Sequence, residues 1–225
     1  VKFEFDHRAS DASLVEFIWS TRTVSGGAFI SQAASNWEMV ITQYRGKITF
    51  TVRGPETKAS PAPVPEEAEI FGIVFKLGTF MPNLPVKRYV DNAIQLPGAT
   101  GRSFWLHGEA WEAPTFDNAD VFIKRLMRQG LLVNDPIVPA VLQNQPLELS
   151  VRAIQHRFLQ STGLTLASIR QIERARTAMS LLQRGTSILD TVAQLGYFDQ
   201  SHLTNSLKRF VGFTPAQIIR QAQNG

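Results

Sequence analysis

The feature that most constrains this chain is a short stretch that opens a helix, stops it on a glycine and opens another within a few residues. Ser187 can cap a helix, and Asp190 stands three residues later, where it can return the hydrogen bond. Ile188, Val192 and Leu195 then fall at i, i+4 and i+7, which makes one apolar stripe. Gly196 stands where a left-handed residue ends a helix, Tyr197 and Phe198 are read as filling the turn, and Asp199 as capping the next helix. In that second helix Leu203, Leu207, Phe210 and Val211 predict a buried face. Gln200, Ser201, His202, Thr204, Asn205 and Lys208 predict the opposite, outward face. Gly212 ends it, and Thr214-Pro215 caps and opens another helix.

Two helices joined this way form a helix-turn-helix, in which the second helix can lie against base edges in the DNA major groove. The outward face suits that use. Amides can pair with adenine in two places, and hydroxyls bond to either kind of base edge. An ordinary helical hairpin with a polar outer face is the plainer alternative, but it would carry more Glu and Lys outside.

A second, less regular unit precedes this one. Asp135-Pro136 predicts a helix start, with Val138, Val141 and Leu142 as apolar positions. Gln143 to Leu149 reads as a turn interrupted by Pro146. Ser150 then caps a helix in which Val151, Ile154 and Phe158 are expected inward and Arg152, Gln155, His156 and Gln160 outward, with Arg157 nearer the flank. Arg is the usual partner of guanine. Between the units, Thr165 caps a helix running to about Gln183, with Ile169, Ile172, Ala175, Met179 and Leu182 at helical spacing. At 1.5 Å per residue it spans roughly 28 Å. Adjacent major grooves on one DNA face are ~34 Å apart, so the expectation is two reading helices held one turn apart.

The first half has another texture. Lys47 to Arg53 alternates polar and apolar without a break, Trp37, Met39 and Ile41 alternate before it, and Arg45-Gly46 lies between, which predicts a hairpin. Phe71, Ile73 and Phe75 predict a third strand; Leu14 to Trp19 reads as a strand or a short helix. Ala59 to Glu69, with Pro61, Pro63 and Pro65, reads as an exposed loop, and Phe104 to Leu106 as a last strand. The change to helical spacing falls near Ala113 to Asn118, so two domains are expected: residues 1–118, β-rich, and 119–225, helical, with helix-turn-helix units at about 135–161 and 187–212. Charge follows the same division. Residues 1–118 carry eleven basic and thirteen acidic side chains, residues 119–225 twelve and six. A basic second half is what a phosphate backbone attracts.

Several function classes find little support. The chain has no cysteine, which excludes disulfides, thiolate zinc sites and cysteine nucleophiles. No apolar run reaches the ~20 residues that span a bilayer, no signal peptide is visible, and a cytoplasmic location is expected. The chain begins at Val1 without Met, so a few further native residues are expected before it. There is no Gly-rich phosphate loop with a following Lys and no Gly-x-Ser-x-Gly elbow. His107-Gly108-Glu109 would place two metal ligands on one face of a strand, without a second histidine paired to them. No catalytic residue, metal or cofactor is expected. Trp37, Phe71, Phe75, Trp105 and Trp111 are read either as core or as the lining of an effector cavity.

The segment from about Asp135 to Gln221 resembles the DNA-binding domain of AraC/XylS-type transcription regulators. The likeness is carried by Ser150-x-Arg152-x-Ile154-Gln155-His156-Arg157-Phe158, Thr162-Gly163-Leu164-Thr165 and Ile172-x-Arg174 with Ala178 and Leu181-Leu182. It continues through Gly196 to Leu203 and Lys208-Arg209-Phe210-x-Gly212-x-Thr214-Pro215. The resemblance implies base contacts from Arg152, Gln155 and His156 in the first unit and from Gln200, Ser201, His202, Thr204 and Asn205 in the second. Arg157, Lys208 and Arg209 would meet phosphates. Arg174 is expected to pack or form a salt bridge. Where the family often has Arg, this chain has His156 and Asn205, which removes two cations. Trp37-Glu38, Arg53-Gly54-Pro55 and Gly72-Ile73-Val74-Phe75 resemble the sensor domain of some such regulators, a small β-barrel that binds an effector or supports dimerisation. The fold class expected is therefore α+β, a β-barrel-like sensor domain followed by an all-α double helix-turn-helix domain. The partners expected are duplex DNA, a small-molecule effector, RNA polymerase and a second copy of the chain, with no membrane. The rival reading is a cupin-like metalloenzyme or small-molecule-binding β-domain whose helical tail does not bind DNA.

Overall fold

The turn chemistry of the first half produces strands where the alternation predicts them. A computed structural model describes residues 3–223. In chain order its strands are β1 Phe3–Arg8, β2 Val15–Thr23, β3 Gly27–Ser31, β4 Glu38–Tyr44, β5 Lys47–Arg53, β6 Ser60–Val64, β7 Glu69–Phe75, β8 Thr79–Phe80, β9 Ala93–Leu96, β10 Ser103–Leu106, β11 Glu109–Glu112 and β12 Val133–Asn134. The helices are α1 Ala119–Arg128, α2 Ile137–Leu142, α3 Val151–Thr162, α4 Leu166–Gln183, α5 Ile188–Leu195, α6 Gln200–Phe210 and α7 Pro215–Gln223. A 3-10 turn, Val86–Arg88, lies between β8 and β9.

Packing divides the chain into two compact units. One comprises residues up to 28, Asn36–Pro55 and Pro63–Thr165; the other comprises Phe29–Ser35, Glu56–Ala62 and the chain from Leu166. In the first, six strands form a sheet in the order β1-β2-β7-β4-β5-β9. The expected barrel does not form: β1 and β9 are two open edges, because β8, β10, β11 and β12 pair in separate two-stranded ladders instead of bridging them. Leu14 to Trp19 resolves as strand, since Val15 and Ile18 find partners on β7. The β4–β5 hairpin turns through Arg45 and Gly46, as the sequence indicates.

One sheet face carries Ile18, Met39, Val52 and Ile73 into a core closed by Phe104, Trp111, Ile123 and Leu126. Trp37 stacks on Phe75 at 4.1 Å and Phe50 on Phe104 at 4.0 Å. Each such side chain, fully buried, contributes about 1.5–3 kcal/mol. The helices α2 and α3 belong to this same unit. α3 packs against β8 and the 3-10 turn, and its C-terminal Gly163 lies against Val86 and Val90.

The proline-rich segment is not the loop expected of it. Ser60–Val64 pairs with β3. Pro61 and Pro63 stand two residues apart along it and both are exposed, so their missing N–H groups fall on the same edge of the strand. Phe104 to Leu106 is not the last strand either, since β11 follows it in a hairpin and the short β12 lies beyond α1.

In the second unit α4 is the spine, and α5, α6 and α7 pack on it. Its Ile169, Ile172, Ala175, Ala178 and Leu182 are buried; the expected Met179 is half-buried and Ala178 takes the inner place. Two loop segments from the strand-rich part of the chain close over the far end of α6. The Ala33 N–H donates to the Phe210 carbonyl and the Ala59 N–H to the Arg209 carbonyl, each at 2.7 Å. These are among the last four carbonyls of the helix, which have no partner inside it.

Candidate nucleic-acid interface

α6 is started by local chemistry. The Asp199 carboxylate accepts from the His202 N–H at 2.7 Å, which satisfies an orphan donor of the first turn. Before it, the Ser187 hydroxyl accepts from the Asp190 N–H at 3.1 Å, and that hydroxyl donates to the Asp190 carboxylate at 2.6 Å. The carboxylate thus returns its bond to the capping side chain. Gly196 ends α5 with φ 66°. Ile188, Val192 and Leu195 are half-buried and Thr191, between them, is fully buried. Leu203, Leu207, Phe210 and Val211 fill the inner face. Gln200, Ser201, His202, Asn205, Lys208 and Arg209 are exposed, and Thr204 is half-buried at the margin.

The turn between α5 and α6 is held from three sides. Tyr197 is buried, its hydroxyl 3.1 Å from the Ser206 hydroxyl. The Arg174 guanidinium lies 4.4 Å over its ring, which gives Arg174 the packing role the resemblance implied. The His202 ring meets Tyr197 edge-on at 5.1 Å, and its Nδ1 accepts from the Phe198 N–H at 3.3 Å. Phe198 does not fill the turn as expected. It is 91% exposed, because Tyr197 alone occupies the interior.

α3 is capped by Ser150, whose hydroxyl accepts from the Ala153 N–H at 3.2 Å. Its exposed residues include Arg152, Gln155, His156, Arg157 and Gln160. Val151 was expected inward and is 71% exposed. It is the first helical residue, one position beyond the cap, and the burial begins with the half-buried Ile154 and is complete at Phe158. Arg157 is tied by two bonds to Asp135, Nη2 to Oδ1 at 2.6 Å and Nε to Oδ2 at 3.1 Å. Asp135 also accepts from the Ile137 N–H at 3.0 Å, so one carboxylate starts α2 and fixes α3 to it.

The five aromatic residues considered for an effector cavity do not gather around one cleft. Trp37, Phe75 and Trp111 are core; Trp105 is half-exposed on the β10–β11 hairpin. Phe71 alone lines a cleft, of about 460 Å³, at the polar end of the core face of the sheet. There Ser20, Phe71 and Ile41 lie side by side, and the next row is Arg22, Glu69, Gln43 and Ile48. Arg102 and Phe116 complete its wall. Sequence reasoning missed these residues because they come from strands and loops far apart in the chain. His107 is not on a strand face. With Gly108 it forms the two-residue turn of that hairpin, φ 53° and 79°, and its Nδ1 lies 3.4 Å from the Asn83 amide. Among the described residues no three His, Asp or Glu side chains converge as a metal site, and no helix is long and apolar enough to cross a membrane.

Two capped helices around a glycine turn, packed on a central helix with a polar face outward, define a helix-turn-helix protein. More narrowly, residues 145–221 match the family described as a helix-turn-helix domain, in the segment whose motifs resemble AraC-type regulators. The chain is similar to the HTH-type transcriptional regulator RipA of Corynebacterium glutamicum, 35% identical over 68 residues, which are 30% of this chain and 20% of that protein. The match therefore takes in about a fifth of that relative's length. Among solved structures, ToxT from Vibrio cholerae O395 aligns over 99% of both chains with 10% identity and a TM-score of 0.41. ToxT bound to (E)-4-(8-methylnaphthalen-1-yl)but-3-enoic acid aligns with 11% identity and a TM-score of 0.39, over 99% of this chain and 100% of that one.

Proposed function

We propose that this protein is a cytoplasmic, non-catalytic regulator that binds duplex DNA in a sequence-dependent way, with α6 and α3 entering successive major grooves. The observation that carries this reading is α6 itself. Its inner face is rooted by Leu203, Leu207 and Phe210, its ends are fixed by Asp199 and by the loop N–H groups, and its outer face offers amides, hydroxyls and an imidazole. Gln200, Ser201, His202, Thr204 and Asn205 are assigned to base edges in the second site, and Arg152, Gln155 and His156 in the first. Lys208 and Arg209 are assigned to phosphates. Arg157, with two donors committed to Asp135, is assigned to holding α3 and only secondarily to phosphate. Residues 119–225 are taken as the DNA-binding part and residues 1–118 as the regulatory part.

Selection of genomic fragments by the purified protein should yield one motif whose half-sites are about one helical turn apart. On that motif, Gln200→Ala and Arg152→Ala should each lose discrimination at particular and different positions, by about 1–3 kcal/mol. Equal binding of all sequences by wild type and variants overturns the reading.

The cleft beside Phe71 favours regulation by a small amphipathic effector, since it joins an apolar floor of Ile41, Ile48 and Phe71 to the charged Arg22, Glu69 and Arg102. A thermal-shift screen against small amphipathic compounds tests it. A stabilising compound whose effect survives both Phe71→Ala and Arg102→Ala would bind elsewhere.

A further inference from the structure

Phe198 is the one large apolar side chain at the head of the reading helix, and nothing in the reading above uses it. It is 91% exposed, immediately before the capping residue Asp199. Its backbone is not loose: its N–H is bonded to His202 Nδ1, and His202 in turn stands against Tyr197, which Arg174 and Ser206 hold. The side chain is thus presented to solvent from a fixed point. Its neighbours Asp199, Gln200, Ser201 and His202 are all exposed and polar.

The chemistry of the groove narrows what such a group can meet. Recognition helices contact bases with their N-terminal residues, so the residue before the cap travels at the leading edge. The major groove offers donors, acceptors and a single apolar feature, the 5-methyl group of thymine, which Phe can contact. A protein partner would need a continuous apolar patch. Leu189, the other strongly exposed apolar residue of these four helices, sits on the first turn of α5, whereas Phe198 follows its last turn. The two are separated by most of an eight-residue helix, roughly 12 Å.

We propose that Phe198 is an apolar specificity residue of the second unit, packing on a thymine methyl at the border of the site that α6 reads. The proposal rests on the DNA-binding reading. It is tested on the full chain and its selected motif by replacing each thymidine in turn with deoxyuridine, which removes only the methyl, and measuring affinity by fluorescence anisotropy at fixed salt. Wild type should weaken about fourfold at one or two positions, the share of one buried methyl. Phe198→Ala should show a similar loss on the unmodified motif and no further loss at those positions, while Phe198→Leu keeps part of the sensitivity. Circular dichroism should find both variants folded as wild type, since the side chain is exposed. The proposal is overturned if Phe198→Ala binds as tightly as wild type, if it weakens yet keeps the wild-type response at every thymine, or if it loses only stimulation of transcription, which would point to a protein partner. Gln200→Ala separates the two levels. If it still shifts base preference, failure at Phe198 leaves the DNA reading intact; if wild type selects no motif at all, both fall.

Discussion

The two helix-turn-helix units solve the same problem with different means. The caps and turn of the second come from neighbours in sequence, since Ser187 with Asp190, Asp199 with His202, and Tyr197 with Ser206 are all within nine residues of each other. Distant groups, Arg174 over Tyr197 and the Ala33 and Ala59 N–H groups, only close over what these set. The first depends on distance. Asp135 holds Arg157 across 22 residues, and the end of α3 rests on Val86 and Val90. Its first helix has six residues, too short to carry a stripe of its own. A supersecondary motif can therefore be specified by caps and turns or by the surface it is packed on. Only the first kind is written in consecutive residues.

The contrast can be tested at its foundations. Phe158→Ala and Leu207→Ala each empty a buried site, at about 3–5 and 2–5 kcal/mol respectively. Hydrogen exchange should show the first variant losing protection in the unit that holds α3 and the strands, and the second in the unit that holds α4 to α7. Loss in the same segments for both would mean that the division into two compact units is wrong.

A smaller effect probes the loops over α6. Gly212→Ala places a methyl 2.5 Å from Ile30 Cγ2 at φ 86°, and combined strain and overpacking should cost about 2–3 kcal/mol. Gly196→Ala, at φ 66° with open space around it, should cost only about 1 kcal/mol. Equal shifts in denaturation midpoint would show that Ile30 does not press on this turn.

Smaller again is Asp135→Ala. It removes the brace of the first unit, but Arg157 is half-exposed, so water replaces part of the loss, leaving about 1–2 kcal/mol. DNA affinity should fall without a change in base preference. A changed preference would make Arg157 a base reader.

The least effect concerns Asp120 at the start of α1. Burial pulls its carboxyl up, but the Ser10 hydroxyl and the Arg8 guanidinium outweigh burial and hold it below the ordinary carboxylate value. A lowered folded-state pKa gives stability that is present above the unfolded value, about 4, and is lost as pH falls through the folded one. Asp120→Asn should therefore melt lower at neutral pH, and its midpoint should fall less steeply in acid than that of wild type. Parallel acid profiles would show that another carboxylate sets the slope.

The legibility of the sequence follows the same line. The β4–β5 hairpin, β7, the caps at Ser150, Ser187 and Asp199 and the inner face of α6 all rest on spacing within a few residues, and each is found where the spacing puts it. The outward residues of α6 could be named for the same reason. Barrel closure could not be read, because alternation marks which residues form a strand and not whether the outer strands meet. Nor could β6, whose prolines speak against a strand unless one edge is left unpaired. Phe198 was misplaced because Tyr and Phe side by side are alike in composition, and only packing decides which is inside.

The sequence by itself determined the helices, their caps and the polar face of α6, since these depend on bonds between residues three or four apart. The tertiary structure decided that the sheet stays open, that a cleft forms beside Phe71, and that α3 belongs with the strands while α6 is closed by loops around Ala33 and Ala59. Those outcomes depend on which distant surfaces fit together and which orphan carbonyls and carboxylates find partners, and neither is encoded in any local period.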